Sequence, residues 1–332
     1  MPDPLIRTVG SIDMKLSFRW PIALWFLIFS LLGNPVLAAQ AKTAPAFELA
    51  ADKIFWQRLS YRAESFIGKM TSNISLATLP EEDAADNLIT AAGGCAVKAS
   101  GARVFFLESH SNIKPLFGSN EIYTTQSWID SNSAAALQRI RRREGREMWQ
   151  KSYRFMDKGV FRLKKKPKDS REAKLPLDKW TQTRESFYDY APANPNCSAI
   201  LEPGGLLLVA SVIKQWQQAS PLNLCVFNKK QLYRVNVSLA GIRRLKVKYI
   251  EKSGIENKRR DTEIDAFQIS FEPQSLEQTP KNKEEFSFLG LKGGFDIFVD
   301  PRFGLPVQIR GKIAAVGKIN ISLQTVEFAP DN

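Results

Sequence analysis

The sequence predicts a mainly β protein: a strongly curved antiparallel sheet, a half-barrel or open barrel, with one apolar helix packed in its concave face. Three observations carry this prediction. Apolar and polar residues alternate over many short runs, as they do from residue 318 to 324, and strand side chains point to opposite faces with this period of two. Turn residues separate the runs. One segment, residues 206–216, has helical spacing instead.

The strand-like runs follow one another along most of the chain. They cover residues 55–66, 69–79, 103–109, 121–129, 137–143, 148–155, 160–163, 222–227, 233–239, 245–249, 264–271, 295–300, 305–310 and 318–324. Between two of them, Asp300 opens a turn, Pro301 presets its first dihedral angle and Gly304 accepts the left-handed position. So many antiparallel strands with one polar face favour a meander that curls into a barrel or half-barrel.

The predicted helix follows a Pro-Gly-Gly sequence and precedes Pro221. Its apolar residues recur at i, i+3, i+4 and i+7, and they are Leu206, Val209, Ala210, Ile213 and Trp216. A helix this apolar needs an apolar partner, which the concave side of a curled sheet supplies. The loops at 80–87, 164–179 and 274–285 are too short to separate domains, so residues 42–332 are predicted to form a single β-rich domain.

The first forty residues have the pattern of a secretory signal peptide. Lys15 and Arg19 precede an apolar run at residues 21–32, and small residues follow up to Ala39 and Ala41. We expect a signal peptide over residues 1–41, with Met14 as the true start and a mature chain that begins near Lys42. The apolar run is short for a membrane span of about 20 residues. An uncleaved anchor in the inner membrane is the alternative.

Cysteine and histidine are scarce. The chain has one histidine and three cysteines, which rules out zinc fingers, His-based metal triads and CxxC redox pairs. We predict no metal site and no cofactor. Export permits disulfides, and Cys197 pairs best with Cys225 because the two flank one apolar segment. Three buried free thiols are the alternative. Cys95 is unpaired in both cases.

Catalytic patterns are weak. His110 lies between two serines that would point to the opposite strand face. Asp296 and Asp300 are about 13 Å apart along a strand, whereas a glycosidase pair needs about 5–9.5 Å. The glycine pairs lack the residues of a P-loop or dinucleotide fingerprint. The sequence therefore predicts a protein that is not an enzyme, with an enzyme acting on envelope polymers as the weakest alternative.

Several features together resemble a Gram-negative periplasmic family, domain of unknown function 3108. They are an early strand pair around Gly68, an Arg/Lys-rich hairpin at 145–160, a helix after Glu202, the Tyr233 strand and a terminal hairpin at 299–307. The resemblance covers residues 61–328 and fails at 80–119. It implies a curved antiparallel sheet around a helix, similar in outline to periplasmic lipoprotein carriers, and a periplasmic location. It brings no activity or catalytic residues.

The chain is basic, with 47 Lys+Arg against 34 Asp+Glu and a net charge of +13. A solvated surface is one explanation, and attraction to an anionic envelope surface such as phospholipid headgroups or lipopolysaccharide is the other. Export argues against nucleic acid as a partner. The basic clusters include Arg139, Arg141, Arg142, Arg143 and Arg146, then Lys164, Lys165, Lys166 and Lys168.

Together these observations predict an exported protein that binds an apolar or amphipathic envelope molecule, a lipid or lipid-linked glycan, without catalysis. The ligand would contact the apolar strand faces and the helix, and a basic rim would hold its polar head. The alternatives are a closed core without ligand and a structural assembly factor of the envelope that binds protein partners. The predicted ligand-binding residues are Leu207, Val209, Ile213, Trp216, Phe295 and Ile297.

Overall fold

Strands dominate the computed structural model, which describes residues 47–66, 68–91, 94–193, 197–212, 221–253, 256–277, 285–314 and 316–329. The chain divides into two compact units, residues 1–44 and 45–332, and all described residues belong to the second. The predicted signal peptide lies outside the described residues, as do the predicted ligand-binding residues Ile213 and Trp216.

Sixteen strands and two α-helices occur within the described ranges. The helices are α1 (Glu81–Ala85) and α2 (Gly205–Ser211). The strands are β1 (Trp56–Ser65), β2 (Gly68–Pro80), β3 (Arg103–Pro115), β4 (Glu121–Asp130), β5 (Ala136–Glu144), β6 (Trp149–Phe155), β7 (Gly159–Lys166), β8 (Gln182–Asp189), β9 (Ile200–Leu201), β10 (Leu222–Asn228), β11 (Gln231–Ser253), β12 (Glu256–Ser275), β13 (Ser287–Phe288), β14 (Leu291–Asp300), β15 (Leu305–Ile313) and β16 (Gly317–Phe328).

The strands form one sheet in the order β8-β7-β6-β5-β4-β3-β2-β1-β16-β15-β14-β12-β11-β10-β9, and β13 pairs with β14. The strands from β1 to β8 form an up-and-down meander, and β1 pairs antiparallel with the last strand, β16. Strand β11 is long enough for its far end to reach β16, where residues 250–252 of β11 pair in parallel with residues 325–327 of β16. The sheet therefore curls back on itself locally, and the predicted fold class is confirmed.

Helix α2 is the apolar helix that the sequence predicts, and all seven of its residues are buried. It begins one residue before the predicted start, and its described part ends at Ser211. The hydroxyl of Ser211 accepts a hydrogen bond from Trp56 Nε1 at 2.9 Å and donates one to the Leu207 carbonyl at 3.0 Å. The Trp56 contact ties the end of the helix to strand β1.

The β14–β15 turn also holds the end of α2, and it has the predicted chemistry. Asp300 Oδ1 accepts the backbone N–H of Arg302 at 3.0 Å, which makes Asp300 the turn opener. Gly304 has a φ of +58°, and a Cβ at this position would clash with the carbonyl oxygen of Ser211. Glycine is therefore required here for both the dihedral angle and the close approach of the helix.

The predicted disulfide is present. Cys197 is bonded to Cys225, with the two Cα atoms 6.0 Å apart, and Cys95 is a free, exposed thiol. The alternative of three buried free thiols is therefore wrong. Because Cys225 lies on β10 opposite Ile200 of β9, the disulfide fastens the short parallel strand β9 to the sheet.

The structure departs from the predicted elements in several places, and the short strands β9 and β13 are among the elements that were not predicted. The runs at 233–239 and 245–249 belong to one 23-residue strand, β11, whose register shifts at Gly241. Strand β8 is missing from the prediction because it is an edge strand with mostly exposed side chains, so no apolar face marks it. The acidic segment predicted as a loop at 80–87 contains helix α1.

Candidate functional site

A cavity of about 290 Å³ lies on the concave face of strands β2 to β5. The sheet forms one wall, and the segment that leads into α2 and the β13–β14 turn form the others. The wall residues are Met70, Ile74, Leu107, Ser109, Ser111, Ile113, Tyr123, Thr125, Ser127, Arg139, Arg141, Glu202, Pro203, Gly204, Leu207, Lys229, Ser287, Phe288, Leu289, Gly290 and Lys292.

The strand registers arrange the sheet wall as a gradient of polarity. Ile74 of β2 pairs with Ser109 of β3, which pairs with Thr125 of β4, which pairs with Arg141 of β5. Directly paired residues share a face of the sheet, so one row passes from apolar to hydroxyl to cationic. The small hydroxyl side chains in the middle leave the space that the cavity occupies. The next row repeats the gradient, with Leu76, Leu107, Ser127 and Arg139.

A buried carboxylate balances part of the positive charge at the basic end. Glu202 has a side chain that is 0% exposed, and its Oε2 lies 3.2 Å from Nε of Arg139. The carboxylate oxygens and this nitrogen make no hydrogen bond of good geometry among the described residues, so the pair is held mainly by charge. Glu202 folds back over Gly204, where a Cβ would clash with its Oε1.

Arg141 lacks such a partner among the described residues. Its guanidinium lies 5.7 Å from the centroid of the Trp149 ring, and no carboxylate of the described residues pairs with it. Arg143, two residues further on the same face, is held instead by both carboxylate oxygens of Glu121, at 2.6 and 2.9 Å. Arg141 therefore lines the cavity without a carboxylate at ion-pair distance among the described residues, and the charge of Glu202 acts on it only from further away.

The electrostatics of Arg141 reflect this position. Burial lowers the pKa of Arg141 to about 10, and the neighbouring charge of Arg139 lowers it in the same direction. The side chain still carries its charge at neutral pH. An anion placed beside it would favour the charged form and would relieve the cost of a poorly solvated cation.

The structure separates the predicted ligand-binding residues. Leu207 lines the cavity. Val209 and Ile297 are fully buried in the filled core around α2, and Phe295 stacks on Phe271 with ring centroids 4.9 Å apart. Ligand contact by the predicted set stays a prediction. Sequence reasoning grouped Arg139 and Arg141 with the surface charges, because only the hairpin registers bring them to the serines of β3 and β4. It did not single out Glu202, which lies outside these hairpins, between β9 and α2.

The described residues give little support for other kinds of site. His110 is exposed, and its Nδ1 lies 3.3 Å from Thr124 Oγ1, away from the cavity-lining residues Ser109 and Ser111. No group of three or more His, Cys, Asp and Glu residues in the described ranges could hold a metal ion. In the same ranges, no helix has the length and apolar character to cross a bilayer.

Fold and cavity together define a curled β-sheet protein with a cavity whose sheet wall passes from apolar to basic side chains. No family model matches the chain, and no curated protein matches it, so the resemblance to domain of unknown function 3108 stays a prediction. Among solved structures, the chain is similar to a beta-barrel-like protein of domain of unknown function DUF1849 from Brucella abortus. The identity is 7% and the TM-score is 0.43, over 84% of this chain and 99% of that one.

Proposed function

We propose that the protein binds a small amphipathic molecule with an anionic group in the concave cavity. The observation that carries the proposal is Arg141, a cation with no carboxylate partner in the described residues, which lines the same cavity as the apolar residues Ile74 and Leu207. A poorly solvated charge without a partner destabilises a fold, and Arg141 is partly buried. The cost is offset when a ligand brings the missing negative charge.

The gradient across the sheet wall sets the orientation of the ligand. Its anionic group would lie against Arg141, whose planar guanidinium can bind a carboxylate or phosphate through two parallel hydrogen bonds. Its apolar part would lie against Ile74, Leu107 and Leu207. The hydroxyl groups of Ser109 and Thr125 between these ends can hydrogen-bond to the ester or hydroxyl oxygens that join head to tail in many lipids.

The size of the cavity limits the ligand. A volume of about 290 Å³ is at the lower end of ligand pockets, which span about 300–1,000 Å³. A single-chain amphipath such as a fatty acid therefore fits better than a two-chain phospholipid held whole. The Cys197–Cys225 disulfide supports work in an oxidising compartment such as the periplasm, where the predicted signal peptide would deliver the protein.

Titration with three twelve-carbon probes tests the proposal: dodecanoate, dodecyl phosphate and the neutral dodecanol. We expect the two anions to bind and dodecanol to bind at least about tenfold more weakly, because a hydrogen bond to a charged group contributes about 1.5–3 kcal/mol. Arg141→Met should remove this preference for anions.

Arg142→Met is the matched control. Arg142 lies on the same strand but on the other face, where its Nε is 2.9 Å from Glu144 Oε1. It should leave the affinities unchanged. If neither anion binds, or if the two variants bind dodecanoate equally well, the proposed function is wrong.

A further inference from the structure

A second surface lies where the β1–β2 and β3–β4 hairpins turn, at one end of the sheet. Phe66 is 74% exposed, Leu116 is 64% exposed and Phe117 is 87% exposed. They are the three most exposed large apolar side chains among the described residues. A cluster of exposed apolar side chains in a soluble protein commonly marks a place where something binds. We call these three residues the apolar tips.

The strand register brings the apolar tips together. Gly68, at the start of β2, pairs with Pro115 at the end of β3. A Cβ at Gly68 would clash with the carbonyl oxygen of Lys114, so the two hairpin ends pack with almost no gap. Phe66 precedes Gly68 in the first turn, and Leu116 and Phe117 follow Pro115 in the second. The tips therefore lie on two adjoining turns.

Lysines accumulate at the same end of the sheet. Lys69 lies directly opposite Lys114 across β2 and β3, and Lys312 lies directly opposite Lys318 beside the β15–β16 turn. Like charges in direct register destabilise a sheet. Only Lys69 has a carboxylate within ion-pair distance in the described residues, Glu64 at 3.4 Å. Lys114, Lys312 and Lys318 are exposed and lack one.

We propose that this end of the sheet docks on an anionic lipid bilayer, with the apolar tips inserted at the interface and the lysines against the headgroups. Stable peripheral binding needs two signals, apolar insertion and electrostatic attraction, and this surface presents both. Phenylalanine and leucine on turns can enter the headgroup boundary without disturbing the sheet. A protein partner fits less well, because lysine is depleted in protein–protein interfaces.

The docking surface adjoins the cavity. Met70 and Ile113 line the cavity and lie on β2 and β3, within three residues of Gly68 and Leu116. Docking would therefore bring the cavity close to the lipid surface. The inference does not rest on the proposed function, because a protein with an empty cavity would dock in the same way.

Vesicle flotation tests the proposal, with phosphatidylcholine vesicles compared with phosphatidylcholine–phosphatidylglycerol vesicles. The protein should float with the anionic vesicles at low salt and bind much more weakly to the neutral ones. Burial of one large apolar side chain contributes about tenfold or more to partitioning. The triple variant Phe66→Ser/Leu116→Ser/Phe117→Ser should therefore lose at least about a hundredfold. Ile242→Ser, at another exposed apolar position (61% exposed), should lose nothing.

The contribution of the lysine charges and the insertion of the apolar tips are measured separately. Lys114→Glu/Lys318→Glu should weaken binding to anionic vesicles and should flatten its salt dependence. An NBD label at Phe117→Cys, in a Cys95→Ser background, should shift to the blue on vesicle binding, whereas a label at Ile242→Cys should not. Circular dichroism and thermal unfolding verify that each variant is folded.

Four outcomes overturn the proposal. The wild-type protein fails to bind anionic vesicles, or it binds neutral vesicles equally well. The triple variant floats as the wild-type protein does. The fluorescence of the label at position 117 does not change with vesicles, but the label is shielded from solvent by a protein that binds stoichiometrically, which would assign the surface to a protein partner.

Discussion

The pair of Arg139 and Glu202 supplies the sharpest test of the site's energetics. Glu202→Leu would remove the carboxylate whose Oε2 lies 3.2 Å from Nε of Arg139 and would leave Arg139 and Arg141 together in a partly buried wall. Two residues along a strand place these charges about 7 Å apart. At an effective dielectric constant of about 20, their repulsion is about 2.4 kcal/mol.

Removal of one partner of a buried ion pair typically costs about 3–5 kcal/mol. Because the pair lacks a hydrogen bond of good geometry among the described residues, we expect the lower part of this range, about 3 kcal/mol. The double variant Glu202→Leu/Arg139→Met removes both charges and should recover most of the loss, to within about 1 kcal/mol of wild type, since apolar replacement of a buried pair is often neutral.

Urea unfolding followed by circular dichroism gives the free energies for a complete double-mutant cycle with Arg139→Met. Dodecanoate should stabilise Glu202→Leu more than it stabilises the wild-type protein, because the ligand supplies the missing carboxylate. A loss below about 1 kcal/mol for Glu202→Leu would refute the reasoning, as would a double variant no more stable than Glu202→Leu alone.

Three further predictions concern stability and are measured by the same unfolding experiment. Gly304→Ala should lower the free energy of unfolding by about 2 kcal/mol or more, because of the left-handed φ of +58° and the clash with Ser211. The control is Gly290→Ala, at a φ of +87° with no atom near its Cβ position. It should cost only the part that comes from the dihedral angle. Cys197→Ser/Cys225→Ser opens a loop with a sequence separation of 28 and should cost roughly 3–4 kcal/mol, whereas Cys95→Ser should cost less than about 0.5 kcal/mol. Burial raises the pKa of Asp130, but hydrogen bonds from Ser100 and Ser133 outweigh this effect, so the net pKa is lowered. The ionised carboxylate therefore stabilises the fold above about pH 4, and this contribution is lost as the pH falls through the folded pKa. The difference in unfolding free energy between wild type and Asp130→Asn should shrink over that acidic range.

The fold was predictable because its signals are local. The alternation at residues 318–324 identifies a strand without knowledge of its neighbours, and β16 contains it. Gly304 identifies a turn because glycine readily adopts the left-handed dihedral angle. Strand β8 was not predicted because it lacks this local signal. Both of its faces meet solvent, so its side chains follow no apolar alternation.

The candidate site was only partly predictable because it depends on registers between strands. Leu207 could be placed in the concave face because it belongs to the helix that the sequence predicts there. Arg141 could not, since its position beside Thr125 and Ser109 follows from two successive hairpins, and a shift of one residue in either register would turn it to the other face. Its sequence neighbours, a run of arginines, indicate a solvated surface equally well.

The distribution of hydroxyl groups explains why the concave side is filled in one half and open in the other. Around α2, large apolar side chains such as Phe271, Phe295 and Ile297 occupy the concave side and are buried. Over β3 and β4, the same inward positions carry Ser109, Ser111, Thr125 and Ser127. A sequence selected for stability alone would place large apolar residues there and would not leave a cation such as Arg141 unpaired in the wall. The open half is therefore what the proposed ligand site requires. Under that proposal, Thr125→Leu should both stabilise the protein and abolish dodecanoate binding, a combination that a purely structural role for this face would not produce.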